Sequence, residues 1–156
     1  MANAPGQPSP ADYVAINELL ARYCVTLDLD DVEGWLDLFA PDASYDVDGR
    51  TYQGRETLRR LARTVPRGLH LAGPPIVETD GPDRARTTRN ALFVNRHNGT
   101  LRHTYYVDDL VRTGEGWRIA ACRCRFVTSR GVADWPDGQA AESLVHGVDT
   151  PDWADA

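Results

Sequence analysis

The chain has 156 residues, with 17 basic against 23 acidic side chains and a formal net charge of -6. All 17 basic residues are arginine, and a chain without lysine cannot form a Schiff base, anchor pyridoxal phosphate or build a Walker-type phosphate loop, each of which needs a lysine amine. Residues 1–130 hold 17 arginines and 17 acids while residues 131–156 hold six acids and no arginine, so the body is neutral, the basic footprint of a nucleic-acid binder is missing, and no apolar run is long enough to span a bilayer.

One domain is expected at this length. It reads as a disordered leader over residues 1–9, a folded body over 10–130 and an acidic C-terminal tail over 131–156. The leader lacks the basic region and apolar run of a secretion signal. Ser9-Pro10-Ala11-Asp12 combines an N-cap serine, proline at the first helical position and an acid three residues after the cap, so a helix starts there. Ile16, Leu19, Leu20, Tyr23 and Leu27 then recur at three- and four-residue steps, the stripe of an amphipathic helix that ends near Asp28 to Asp30. A second helix is predicted over Val32 to Phe39, with Trp35, Leu36 and Phe39 buried and Pro41 discouraging continuation. The two helices form a hairpin.

The period changes at Ser44. Ser44 to Val47 and Thr51 to Gln53 read as strands around an Asp48-Gly49 turn, and Arg55 to Thr64 returns to helix with Leu58, Leu61 and Ala62 apolar. Beyond Pro66 the chain reads as β: Leu69 to Ala72, Ile76 to Thr79, Arg84 to His97, Thr100 to Arg112 and Trp117 to Thr128. A two-residue loop at Asn98-Gly99 would pair position 97 with 100 and 94 with 103. No long helix or strand is evident in the tail, but its Trp135 and Trp153 suggest docking on the body or a neighbouring subunit, the alternative being a frayed end. These elements make an α+β fold, with a curved, mostly antiparallel sheet wrapped around three N-terminal helices.

Cys24, Cys122 and Cys124 are odd in number, and the last two lie two apart in one strand, where they cannot form a disulfide. A reducing, cytoplasmic location fits them. Cys122-Arg123-Cys124 has no second cluster at zinc spacing, so no metal is expected. The strand would show Cys122, Cys124 and Phe126 on one side and arginines on the other, and the sulfur side is the expected pocket wall.

Three residues could carry proton transfer. Asp28 ends the first helix beside its apolar stripe, although spacing alone also fits a solvated acid next to Asp30 and Asp31. His70 sits within the apolar Gly68-Leu69-His70-Leu71-Ala72, which also fits a hydrogen-bonded core histidine. A carboxylate that fixes one ring nitrogen of a histidine leaves the other free as a general base. Tyr23 precedes Asp28 by five residues, about 140° round the helix, and can reach the same cavity. With Tyr45 it could donate to a developing oxyanion, or both could be core aromatics.

The order of these features resembles the SnoaL-like branch of the nuclear transport factor 2-like superfamily. The matching stretches are Ile16 to Tyr23, Leu27-Asp28-Leu29-Asp30-Asp31, Trp35-Leu36-Asp37-Leu38-Phe39-Ala40-Pro41-Asp42-Ala43, Tyr52-Gln53-Gly54-Arg55-Glu56 and Gly116-Trp117-Arg118-Ile119. Together they span about residues 11–130. The resemblance implies a cone-shaped, cystatin-like α+β barrel. Its bile-acid 7α-dehydratase, scytalone dehydratase and hexachlorocyclohexane dehydrochlorinase types pair a late-helix aspartate with a strand histidine, which fall here on Asp28 and His70. Tyr23 matches a tyrosine of the first and Tyr45 one of the second. The chain departs from them near Cys122, where an arginine stands in the dehydrochlorinase, and at Asn95, where scytalone dehydratase has a second histidine.

The resemblance implies a cofactor-independent lyase or isomerase of dehydratase type, acting on a small apolar cyclic molecule such as a steroid, polyketide or aromatic intermediate. Asp28, His70 and Tyr23 would be catalytic; Tyr45, Trp35, Phe93, Asn95, Tyr106, Cys122 and Phe126 would bind substrate. Polyketide-cyclase-like ring closure and non-catalytic binding of a metabolite stay open. No cofactor, nucleic acid or membrane is expected, and a homodimer or homotrimer is. The faces of the strand from Thr100 to Arg112 stay unassigned: Thr104, Tyr106 and Asp108 alternate with His103, Tyr105 and Val107.

Overall fold

Ser9 opens the first helix as its residue type predicts. Its hydroxyl accepts from the Asp12 backbone N–H at 3.0 Å and donates to the Asp12 carboxylate at 2.8 Å, with Pro10 in the first turn. Asp12 also accepts from Arg112 at 2.6 Å and from the Trp117 indole at 3.1 Å, which ties the start of this helix to the sheet. The computed structural model describes residues 6–128 and 130–136. Its elements are α1 (Pro10–Asp28), α2 (Val32–Leu36), β1 (Phe39–Val47), β2 (Arg50–Gln53), α3 (Arg55–Thr64), β3 (Gly68–Ala72), β4 (Ile76–Thr79), β5 (Arg84–Asn95), β6 (Leu101–Thr113), β7 (Gly116–Thr128) and β8 (Gly131–Ala133).

The strands pair in the order β2, β1, β7, β6, β5, β3, with β4 following β3 along the edge of β5 and β8 following β1 along the edge of β7. Among the described residues every pairing is antiparallel except β1 with β7. The path ends on β2 and β3, so the cone stays open rather than closing into a barrel. The helices fill its concave side: the α1 stripe of Ile16, Leu19, Leu20, Tyr23, Cys24 and Leu27 is buried, joined by Trp35, Leu36, Leu58 and Leu61 from α2 and α3.

Three local expectations change. The second helix stops at Leu36 and Phe39 opens a strand, because the carbonyl of Leu38 accepts from Ile119 at 2.9 Å and Phe39 pairs with Ile119. A register shift between Phe39 and Ser44 accommodates Pro41, which has no N–H to give the ladder. The β5–β6 connection is longer than two residues: Asn95 pairs with Thr100 through the backbone and Val94 sits opposite Leu101. There the Asn95 side chain accepts from the His97 N–H and the Asn98 side chain from the Thr100 N–H, forming two Asx turns. Both pairings keep the same face parity, since they differ by two positions. Third, the tail begins with β8 and then Asp134, which accepts from Arg123 and Arg125 at 3.0 Å each.

Trp135 packs on the β1–β2 turn, and Trp153 lies outside the described residues. At this turn Asp48 and Gly49 take φ of 52° and 66°, the two positive values of a type I′ hairpin. A Cβ on Gly49 would lie 2.8 Å from Trp135 Cζ2. Gly49→Ala is therefore expected to destabilise the protein by about 1–2 kcal/mol, from left-handed backbone strain alone. Urea unfolding at unchanged m measures this, and equal midpoints for the two proteins would contradict it.

Candidate active site

The last turn of α1 and the edge strand β3 meet at Asp28 and His70. Just beyond the helix, Asp30 adopts a left-handed φ of 62° and accepts from Arg67 at 2.9 Å and Arg96 at 3.3 Å. This anchors the helix end to the segments flanking β3 and β5. β3 lies antiparallel to β5 with His70 opposite Phe93, and their rings are 4.9 Å apart. Asp28 then receives two donors from one residue: the His70 backbone N–H at 3.0 Å and ring Nδ1 at 2.6 Å. A carboxylate at the negative end of a helix needs such donors. The Asp28 and His70 side chains are 16% and 13% exposed. With its proton held on Nδ1, the neutral ring presents Nε2 as an acceptor.

His70 borders a half-open cavity of about 220 Å³ between α1, α3 and the concave face of the sheet. Register places the floor in rows. His70, Phe93 and Arg102 form one row across β3, β5 and β6; Ala91, Thr104 and Phe126 form the next; Arg89, Tyr106 and Cys124 the third. Leu27, Leu61, Val65 and Pro66 complete the apolar wall, with Val47, Asp48 and Tyr52 at the β1–β2 turn.

Tyr23 and Tyr45 line the same cavity, and their hydroxyls are 2.6 Å apart. One donates to the other, which leaves a second O–H free for an occupant. Burial pushes both phenols well above the ordinary tyrosine value. The rings of Tyr23 and Tyr106 hold the Arg89 guanidinium at 4.7 and 4.6 Å from their centroids. Arg89 pairs with Asp108 at 3.2 Å, and Thr87 also donates to Asp108. These charges are 2% and 0% exposed. Arg89 Nη2 and Asp108 Oδ1 have no partner among the described residues.

Of the residues expected at the site, Tyr23, His70, Tyr45, Phe93, Tyr106 and Phe126 line the cavity, with Asp28 behind His70. Three expected substrate contacts do not. Trp35 is buried behind the cavity, against Tyr23 and Tyr45, because α2 places it in the helix–sheet core. Asn95 spends its side chain on the β5–β6 turn. Cys122 lies one row deeper than Cys124, opposite Asp108. The cavity adds Arg102, Thr104 and Asp48 to the expected set, and Cys124 lines it from the sulfur-bearing face expected as its wall. The signal for Arg102 and Thr104 is inward parity in β6, legible only once its faces are assigned, whereas Asp48 enters from the β1–β2 turn. Burial pushes the Cys124 thiol up to about 12, so it is a neutral wall group at physiological pH and no nucleophile. Among the described residues, no three His, Cys, Asp or Glu side chains cluster as metal ligands do.

Residues 9–123 match the family model of the SnoaL-like domain. The uncharacterized protein Rv2910c of Mycobacterium tuberculosis is 30% identical over 122 residues, 70% of this chain and 81% of that protein. The solved structure of an aspartate-to-asparagine variant of Rv3472, a function unknown protein from Mycobacterium tuberculosis, is similar with a TM-score of 0.69 and 31% identity, covering 77% of each chain. Hexachlorocyclohexane dehydrochlorinase LinA-type3 from Novosphingobium barchaimii shares the fold at a TM-score of 0.66 and 19% identity, over 74% of this chain and 86% of that one.

Proposed function

The chain belongs to the SnoaL-like domain family, and from that premise we propose that it is a cofactor-independent lyase or isomerase of dehydratase type. The observation that carries this reading is the 2.6 Å contact of Asp28 with His70 Nδ1 beside a cavity that the Tyr23–Tyr45 pair also enters. His70 Nε2 takes a proton from a carbon next to an activating carbonyl, and Asp28 orients the ring and stabilises the imidazolium. Tyr23 or Tyr45 donates to the oxygen that gains charge or leaves. The imidazolium then returns the proton, either to the leaving hydroxyl as water departs or to another carbon as the double bond moves.

A volume of about 220 Å³ lies below the roughly 300–1,000 Å³ of drug-sized sites. It favours one- or two-ring polyketide or aromatic intermediates over a four-ring steroid. The test is conversion of cyclic β-hydroxyketones, followed by ultraviolet absorbance and by deuterium uptake at the α-carbon in D₂O. Water loss or exchange supports the reading. Tight binding with neither would make the protein a metabolite binder instead. Exposed Leu69, Leu71 and Ile76 on β3 and β4 support a homo-oligomer, for which sedimentation is the measure.

Since burial raises both tyrosines above their ordinary value near 10, their hydroxyls stay protonated donors across the alkaline range. The alkaline side of the kcat profile is therefore expected to stay level to about pH 10, and Tyr23→Phe to lower the plateau without moving it. A decline with a midpoint near pH 9 that disappears in Tyr23→Phe would refute the donor role.

A further inference from the structure

The Arg102 guanidinium stands on the cavity wall with no hydrogen-bond or carboxylate partner among the described residues. Arg50, Arg60, Arg63, Arg84 and Arg130 also lack a carboxylate partner there, but all of these are exposed to solvent. Arg102 is half-buried and shares its row with Phe93 and His70. A guanidinium partly removed from water and left unpaired is a cost to the empty protein. Its planar fork of donors matches the two oxygens of a carboxylate.

One other charge on the same wall is also open. Asp48 lines the cavity from the β1–β2 turn, its Oδ1 is buried without a partner among the described residues, and it forms no ion pair with Arg102. It repels an anion placed beside it and accepts from a hydroxyl. A donor fork and an acceptor at separate points of one wall orient a molecule that carries an acid at one end and a hydroxyl at the other.

We infer that the occupant is a hydroxylated one- or two-ring carboxylic acid, its carboxylate held by Arg102 and its hydroxyl directed to Asp48. This deepens the proposed function and rests on its reading of the cavity as the substrate site, while standing apart from the choice of reaction. Two strand spacings of about 4.8 Å separate the His70 and Arg102 backbones. The strand order puts Arg102 on β6 between His70 on β3 and Asp48 at the β1–β2 turn, so one cavity presents the base, the donor fork and the acceptor to a single ring system.

The test titrates the protein with 2-naphthoate, 2-naphthamide and 6-hydroxy-2-naphthoate, reading tryptophan fluorescence and the His70 ring signals in NMR spectra. The acid is expected to bind about tenfold or more tightly than the amide, the increment of a charge-assisted bidentate pair. Arg102→Gln should abolish that preference and Arg102→Lys should restore part of it. The hydroxyl should strengthen binding in the parent protein and lose its effect in Asp48→Ala, which removes the acceptor. Equal binding of acid and amide, no binding of either, or an Arg102→Gln protein that keeps the preference would overturn the inference. His70→Ala should keep the preference. An Arg102-dependent preference in a protein that converts no member of the ketone series would sink the lyase reading and leave this one standing.

Discussion

His70→Ala is expected to lower kcat/KM for a converted substrate by about 10²–10⁴-fold, the usual contribution of a positioned general base. Free imidazole should restore part of the rate, since the substitution leaves space beside Phe93. Asp28→Asn is the sharper variant. Its carbonyl oxygen can still accept from the His70 backbone N–H, a bond the aspartate makes at 3.0 Å, so the junction of α1 with β3 keeps that link. Its amide, however, donates toward Nδ1 where the carboxylate accepted. The neutral ring then carries its proton on Nε2, and a base facing the cavity becomes a donor. A loss comparable to that of His70→Ala, with unfolding midpoints little changed, is the expected result. Turnover unaffected by either variant would dismiss the pair as catalytic machinery and return it to a structural role.

The largest stability effect is expected at Arg89. Removing one member of a buried ion pair leaves the other charged and without solvent, which costs about 3–5 kcal/mol. Arg89→Met should show this in urea unfolding, because Asp108 would lose its cationic partner and keep neutral donors such as the Thr87 hydroxyl. For a domain whose total stability is about 5–15 kcal/mol, that is about a fifth or more. The double variant Arg89→Met with Asp108→Leu should recover part of the loss, since two apolar groups leave no buried charge unpaired, although the Thr87 hydroxyl loses its acceptor. A double variant as unstable as the single would show that the cost comes from lost packing between Tyr23 and Tyr106, which hold the guanidinium at 4.7 and 4.6 Å. That alternative is physically distinct, because the aromatic contact needs the arginine alone and not its acid.

The two pairs at issue, Asp28 with His70 and Arg89 with Asp108, were unequally legible. Spacing made Asp28 as compatible with a solvated acid as with a buried one, and only the resemblance joined it to His70, 42 residues away. The structure gives the physical link: β3 docks its edge against the end of α1, so one carboxylate binds both the backbone and the ring of His70. Arg89 and Asp108 were not singled out. Each occupies an inward position of a long strand, with Thr87, Ala91 and Phe93 on one and Thr104, Tyr106 and Leu110 on the other. An alternating pattern has two faces, and without knowing which meets the helices a charge reads as solvated. Arg102 was hidden for the same reason.

What the sequence determined by itself was local: the Ser9 cap, the buried stripe from Ile16 to Leu27, the Asp48-Gly49 turn, the strand-rich second half and the residue types able to move a proton in a chain without lysine. These follow from torsional preference and periodicity, which act over a few residues. Tertiary structure alone decided that Thr104, Tyr106 and Asp108 face inward, that Trp35, Asn95 and Cys122 stay off the cavity, and that Phe39 leaves the helix for a parallel pairing with β7. Each of those depends on which distant strand supplies the next row of side chains. No preference within a single strand carries that information, because burial of a face is a property of the layer packed against it.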